Sequence, residues 1–575
     1  MNSSRREKFF WGIVLFLVCL IPLFLLQVDI RLGSPIHLFT DDSILVWNIF
    51  KGIIHGDVRP YQEILLPQMA APYSPLNFSE GFPITEQLQF FVLKLMSFFI
   101  QDPVILGDSF FVLGYVLAAL SFYLSAVLIR IRPAIAFGLS IAFAYINFHW
   151  LRYDHIFLSH YWVLAPAAAV VFRSFDWKFE KKSEVVMVAV TALLTSLWHS
   201  YYGFFFVGVF CLVSTVRLIR DRKGPAPFKI FVPMGVALGM MILAFGASTA
   251  HYFVARNQPK ELPAKFSRYP GEALFYRLRV GAALLPTPNH RIPILAELRQ
   301  AYQSRVQIRE GLNESIGSLG LFGFLLGFFQ WIQVLRKKRD PSSISRLGGC
   351  QVAVFAFCGP LGLALLISLF VSPVFRSVNR ISPMLAAFAL FSLGMFLSER
   401  FQWSGRLKQL KYGLVGVFLA VFALFDQIPA DPRAVTWSHQ GDYRAEIQSV
   451  RDFMAAIDPM IGNGMVLQLP AMGFPEAPYV HAMANYVQSL APLFSNEGRF
   501  SYGVWKGTLA FATVESLSLN FFDIPRLKTA GFIGVWIDRM GYPDNGAWVV
   551  QQLEMKLARK PLQSADGRRV FFSLR

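Results

Sequence analysis

Residues 5–29 read RREKFFWGIVLFLVCLIPLFLLQVD: a basic cluster, an unbroken apolar run from Phe9 to Leu26, then Gln27-Val28-Asp29. Crossing the hydrocarbon core of a bilayer takes about 20 mostly apolar residues as a helix, and this run is of that length. A signal peptide opens in the same way. No small-residue cleavage site follows Leu26, however, so the run reads as a retained first span. Its basic flank predicts an amino terminus in the cytoplasm.

The pattern recurs along the chain. About eleven apolar runs begin near Phe9, Ile105, Pro133, Ile156, Val185, Gly203, Ile230, Gly317, Gln351, Ile381 and Tyr412. The fifth is short, and the third and fourth are polar at their ends. Basic loops fall between them: Arg130 with Arg132; Lys178 with Lys181 and Lys182; Arg217, Arg220, Arg222 and Lys223; Arg336-Lys337-Lys338-Arg339; and Arg400 with Arg406, Lys408 and Lys411. If the spans alternate, every one of these loops lies on the side of the amino terminus, and an odd number of spans puts the carboxyl terminus outside.

Composition agrees. Of 575 residues 54% are hydrophobic and 16% charged, against roughly 25% charged in soluble domains, and the mean hydropathy is +0.45. The net charge of +18 does not indicate nucleic acid, because the cations sit in short loops between apolar runs; the lipid bilayer is the partner they imply. Cys19, Cys211, Cys350 and Cys358 lie inside apolar stretches and read as small core residues.

The expected architecture is an all-α polytopic membrane domain over residues 1–428, with long outer loops at 27–104 and 251–316. A small extracytoplasmic α/β domain over 429–575 follows it. Strands are expected at Met465 to Leu469, Phe532 to Ile537 and Arg569 to Leu574, and helices near Arg444 to Ile457 and Ala547 to Arg559. Pro543-Asp544-Asn545-Gly546 is a turn signal between them.

The first outer loop is the richest in chemistry. Thr40-Asp41-Asp42-Ser43 precedes Ile44-Leu45-Val46-Trp47-Asn48-Ile49-Phe50-Lys51, an amphipathic helix suited to the membrane interface and capped by Thr40. A second interfacial helix is expected from Glu86 to Ile100. Between them Ala71-Pro72-Tyr73-Ser74-Pro75-Leu76-Asn77-Phe78 leads to Glu80. Asp41 and Asp42 are either first-turn carboxylates favoured by the helix dipole or functional groups. No P-loop or dinucleotide fingerprint is present, so an outer-side reaction needs an activated donor delivered on a lipid.

Other polar groups gather at outer junctions. Arg376 and Arg380, in Phe375-Arg376-Ser377-Val378-Asn379-Arg380, have helical i,i+4 spacing. They form either a phosphate clamp or a pair of snorkelling arginines. His149-Trp150-Leu151-Arg152-Tyr153-Asp154-His155 is followed by Ser159 and His160, and His199-Ser200-Tyr201-Tyr202 forms a second cluster. Each histidine either contacts a phosphate or sugar or makes a helix-packing hydrogen bond. Asp154 and Glu314 could join a divalent-metal site, although no residues have metal-ligand spacing.

A carboxylate pair just after the first span, two interfacial helices in a long first outer loop, and many spans ending in an outer domain resemble the GT-C superfamily of membrane glycosyltransferases. The resemblance covers residues 1 to about 430, and its motif, Asp41-Asp42, is two residues long. The Arg376 to Pro383 loop and Gly534-Val535-Trp536-Ile537-Asp538-Arg539 are similar to segments of sugar-polymer membrane proteins. The resemblance implies a polyprenyl-phosphate sugar as donor and Asp41 as catalytic base with Asp42 beside it. The Trp-Trp-Asp-Tyr-Gly motif of oligosaccharyltransferases is missing, which argues against protein N-glycosylation.

The resulting expectation is an inverting glycosyltransferase of the bacterial cytoplasmic (inner) membrane. It moves a sugar from a polyprenyl-phosphate-type lipid to a glycan or lipid acceptor on the outer face. Asp41 and Asp42 are the catalytic candidates; Arg376, Arg380 and His160 are candidates for the donor phosphate; Glu80, Arg152, Asp154, His155, His199 and Glu314 are candidates for donor or acceptor contact. No cofactor is indicated beyond the lipid-linked sugar. A lipid-sugar flippase would show paired broken helices and mid-membrane charges, and a non-enzymatic assembly component would tolerate loss of Asp41.

Overall fold

The computed structural model describes residues 3–26, 41–80, 85–220, 227–256, 270–306, 311–337, 341–405, 407–431 and 443–575. Thr40, Arg222, Lys223, Lys338, Arg339 and Arg406 lie outside them. Among the described residues, eight helical segments are long and apolar enough to cross a membrane: Pro103–Leu128, Ile156–Asp176, Ser200–Ile219, Phe228–Ala250, Gly317–Lys337, Ser343–Phe370, Val378–Arg400 and Lys408–Gln427. The remaining three expected spans are helices of 16, 12 and 17 residues, at Ser3–Val18, Pro133–Ala144 and Lys182–Trp198. Local sequence explains their shortness. Pro22 interrupts the first, which continues only as a 3-10 turn over Ile21–Leu26. Ile146 turns extended before a new short helix at Asn147–Trp150, and an extended His199 ends the third.

Small residues let these helices approach closely. A Cβ on Gly138 would strike the carbonyl oxygen of Gly416, and one on Gly416 would strike that of Ala134. This is the small-residue contact by which helices pack where lipid replaces water. Gly138→Leu is therefore expected to lower the melting temperature of the detergent-solubilised protein by several degrees, through overpacking of about 1–3 kcal/mol. An unchanged melting temperature would show that this crossing tolerates separation.

The amino-terminal residues and the described basic loops share one end of the bundle. Tyr123 donates to the Lys8 carbonyl at 2.6 Å, and Gln409 to Glu7 at 3.2 Å. Arg132 lies over the Tyr412 ring at 4.4 Å, Arg217 bonds the Ser174 carbonyl at 2.6 Å, and Arg346 pairs with Asp176. The opposite end carries the first loop and the carboxyl-terminal residues, joined by Arg451 and Asp102 at 2.6 Å.

In the first loop, β1 (Leu65–Leu66) and β2 (Leu76–Asn77) form an antiparallel ribbon. The carboxyl-terminal region folds around β3 (Met465–Leu469), β4 (Arg499–Phe500), β5 (Phe532–Asp538), β6 (Leu562–Gln563) and β7 (Arg569–Ser573), in the order β4-β3-β5-β7-β6. β3 is parallel to both β4 and β5, while β7 is antiparallel to β5 and β6. Parallel strands need crossover connections: the chain passes from β4 across β3 to β5 through the helices Leu509–Leu519 and Ile524–Thr529. Beside the sheet, Glu446 of the Tyr443–Ile461 helix accepts from both Arg568 and Arg569. Arg568 also meets Asp538 at 2.9 Å, and Arg569 meets Asp566 at 3.1 Å.

Two sets of contacts seat this region on the first loop. Ala70 and Ala71 donate to the carbonyls of Tyr502 and Phe500, and Phe500 donates back to Gln68, so the loop is hydrogen-bonded along the β4 edge. On the Asp41–His55 helix, Asn48 donates to the Ser489 carbonyl at 3.0 Å. Lys51 donates to the carbonyls of Pro492 and Ser495 at 2.6 and 2.5 Å. Burial, partly offset by Asp458 and Asp57, lowers the Lys51 pKa to about 8.

Candidate functional site

At the sheet-bearing end, residues from five separate segments converge. Asp41 opens the Asp41–His55 helix, as the spacing predicts. Asp42 reaches His155 at 3.6 Å, so the helix start meets the turn Tyr153–His155, of which Asp154 is the central residue. Arg152, just before that turn, is buried with its guanidinium over the Phe148 ring at 4.7 Å.

Glu86 stands just before the Gln87–Ser97 helix, which is the second expected interfacial helix. His199 sits at the break between Lys182–Trp198 and Ser200–Arg220, in an extended conformation that reverses the chain within one residue. The pair is 3.2 Å apart, with side chains 18% and 7% exposed. His199 Nδ1 accepts the Tyr201 N–H at 3.3 Å. The single hydrogen of the neutral ring therefore belongs on Nε2, facing Glu86. Thr85 donates its N–H to Glu86 Oε2 at 2.9 Å, and its hydroxyl lies 3.2 Å from Oε1 and 3.1 Å from the Ser200 hydroxyl.

The third arm is the turn Val378–Ile381. Arg380 lies over the Tyr201 ring at 5.0 Å and within electrostatic reach of Glu86, His199 and Tyr202. Arg376 is held elsewhere, against Glu272 at 2.5 Å and over the Tyr276 ring. The expected helical i,i+4 spacing is not realised. Two 3-10 turns, Pro373–Phe375 and Val378–Ile381, are separated by Arg376 and Ser377, whose φ and ψ of −89° and 68° are not helical. The arginines therefore diverge.

Burial dominates the electrostatics. It raises the Glu86 pKa, against hydrogen bonds from Thr85 and the charge of Arg380. It lowers that of His199, helped by Arg380 and His155. Glu314, closing the turn Gly311–Glu314, is pushed up to about 8 by burial, opposed by Asn379, the Arg279 N–H, Arg299 and Arg152.

Of the other expected candidates, His160 is buried, stacks on Phe110 at 3.8 Å and bonds the Phe110 carbonyl through Nε2 at 2.7 Å, while its Nδ1 has no hydrogen-bond partner among the described residues. Its own carbonyl accepts from the Trp198 indole at 2.7 Å, next to His199. Glu80 closes the turn Phe78–Glu80, where Phe78 meets Phe474 of the carboxyl-terminal region. Sequence reading took Glu86 only as a helix start and did not single out Asn379. The signal available for Glu86 was a lone carboxylate opening an apolar helix, which a capping residue gives equally well.

Beside the cluster is an apolar cleft of about 200 Å³, lined by Ser196, Ser200, Met241, Ile242, Phe245 and Phe375. Ile242 is 60% exposed on a helix apolar enough to cross a membrane, so the cleft lies on a lipid-facing flank. Phe375 stacks on Phe204 at 4.4 Å and fixes one wall. The Thr85–Ser200 contact joins the cleft to Glu86 and His199. No group of three or more His, Cys, Asp or Glu that could hold a metal occurs among the described residues.

No family model and no curated protein matches the chain. Among solved structures it is similar to the arabinofuranosyltransferase AftD from mycobacteria, at 13% identity and a TM-score of 0.48, over 94% of this chain and 35% of that one. It is similar to ArnT from Cupriavidus metallidurans bound to undecaprenyl phosphate, at 12% identity and a TM-score of 0.48, over 98% of both chains. A third similarity is to the archaeal oligosaccharyltransferase AglB from Archaeoglobus fulgidus in complex with an inhibitory peptide and a dolichol-phosphate, at 11% identity and a TM-score of 0.45, over 98% of this chain and 74% of that one. The chain thus spans about a third of the length of the arabinofuranosyltransferase.

Proposed function

We propose that the chain is a membrane glycosyltransferase that takes its sugar from a polyprenyl-phosphate-type lipid and passes it to a glycan or lipid acceptor. The observation that carries this reading is the apolar cleft on the lipid-facing flank, joined at Ser200 to the polar cluster of Glu86, His199 and Arg380. That combination suits an amphiphile with a prenyl tail and an acidic head. A basic end shared with the amino terminus supports an amino terminus in the cytoplasm and a site on the outer face of a bacterial inner membrane. Residues 1–428 then form the membrane domain and 429–575 an extracytoplasmic one.

In this reading Asp41 takes the proton of an acceptor hydroxyl, with Asp42 beside it. The hydroxyl oxygen attacks the anomeric carbon from the face opposite the lipid. The carbon–oxygen bond to phosphate breaks, and its electron pair leaves with the phosphate, whose charge Arg380 stabilises. Inversion at the anomeric carbon follows from the single displacement. Arg152, His155 and Glu314 border the same space.

The test is binding. Full-length protein in detergent is expected to bind undecaprenyl phosphate. Met241→Trp, which fills the cleft, is expected to weaken that binding on the order of tenfold, about 1.4 kcal/mol. Isopentenyl phosphate, too short to use the cleft, is expected to bind both proteins alike. Equal affinity of both proteins for undecaprenyl phosphate would remove the cleft from the donor site.

A further inference from the structure

Glu86 and His199 have no part in the displacement itself, yet they form a carboxylate–imidazole contact with side chains only 18% and 7% exposed, tied to the cleft through the Thr85–Ser200 contact. Their surroundings are unusually complete in charge. Arg380 faces both from the Val378–Ile381 turn. His155 faces His199 from the Tyr153–His155 turn and is itself held to Asp42. Arg152 and Arg380 face Tyr202 one helical turn below, and Arg152 also faces Glu314. Glu86 is thus a carboxylate within electrostatic reach of the Arg380 guanidinium.

A phosphate arriving at Arg380 changes the balance of charge there. The same guanidinium must then serve two anions in a place largely closed to water, and an uncompensated buried charge is costly. The group able to relieve it is the pair itself, since a proton added to Glu86 or to His199 turns a net negative pair neutral. Such a proton belongs to the pair as a unit rather than to either residue. The tie from the Tyr201 N–H to Nδ1 holds His199 as neutral imidazole with its hydrogen toward Glu86, so that with Glu86 ionised the pair has room for one proton.

We propose that anion binding at Arg380 is coupled to uptake of one proton by the Glu86–His199 pair, and that the pair gives the proton up when the site empties. The inference rests on the donor reading above. Glu86 and His199 are positioning residues here: they set the charge the phosphate meets. Burial works in the same direction, since it raises the proton affinity of Glu86. The sign follows: uptake makes binding weaken as pH rises, by up to tenfold per pH unit between the apparent pKa of the pair without the anion and its higher value with the anion bound.

The probe is farnesyl methyl phosphate, a diester whose single negative charge is constant across the working range. Titration calorimetry of the full chain between pH 6 and 9, in buffers of different ionisation enthalpy, reads protons taken up per anion bound. The wild type is expected to take up a proton fraction that approaches one. Glu86→Gln, neutral at every pH, is expected to bind with no proton uptake and with an affinity independent of pH. Wild-type binding without proton uptake overturns the coupling, as does Glu86→Gln that binds and still takes up a proton. A wild type that shows no binding heat and no competition with undecaprenyl phosphate overturns the donor reading itself.

Discussion

Asp41→Asn should lower sugar transfer by about 10²–10⁴-fold, the range that general-base assistance contributes, with the protein still folded. Asparagine keeps the size and polarity at the start of the Asp41–His55 helix but cannot take a proton. The readout is transfer from lipid-phosphate sugar in membranes, or the glycan profile of cells, at matched expression and melting temperature. Asp42→Asn should do less. Its contact with His155 is 3.6 Å and its side chain 43% exposed, and pairs of that kind contribute at most about 1 kcal/mol, so the loss should stay under about tenfold. A reversed order would move the base to Asp42. Full transfer activity in both variants would reduce the first-loop carboxylates to helix-start residues, and an unchanged glycan profile with no measurable transfer by any form would favour a non-enzymatic assembly role.

Glu446→Ala should be the most damaging single change to the carboxyl-terminal sheet. Glu446 accepts from Arg568 and Arg569, and the Arg569 side chain is only 1% exposed. Removing the shared carboxylate leaves buried guanidinium charge short of a partner, which costs about 3–5 kcal/mol. The loss should appear as faster hydrogen exchange of the β5 and β7 amides. Replacing both ends, as Glu446→Leu with Arg569→Met, should recover much of it, because an apolar pair has no charge to desolvate. A single variant with unchanged exchange would mean that Asp538 and Asp566 carry the network alone.

The membrane character of the chain was legible because long apolar runs leave few alternatives, and the strand cores at Met465, Phe532 and Arg569 were legible because short apolar runs lie between clear turn signals. β4 and β6, of two residues each, are too short to leave a period, and the β1–β2 ribbon is shorter than any sequence window. Span length was less legible: Pro22 and His199 end helices at places where average hydropathy stays high. At the site, sequence could point to His155, His199 and Arg380 singly but could not show that they face one another, since each arrives on a different turn. It also paired Arg376 with Arg380 by a helical spacing that the backbone does not adopt. Glu86 was hidden because a helix-opening carboxylate has an ordinary explanation.

The ladder between Gln68, Ala70 and Ala71 of the first loop and Phe500 and Tyr502 has a bearing on biosynthesis. Some 430 residues separate its two sides, so at about 5–20 residues per second the ribosome needs roughly 20–90 s between making one and the other. For that interval the Asp41–His55 helix lacks both the ladder and the carbonyls that hold Lys51. A nascent chain therefore carries its acidic helix to the membrane surface long before that helix is braced, and the braced arrangement arises only once the last quarter of the sequence has been made.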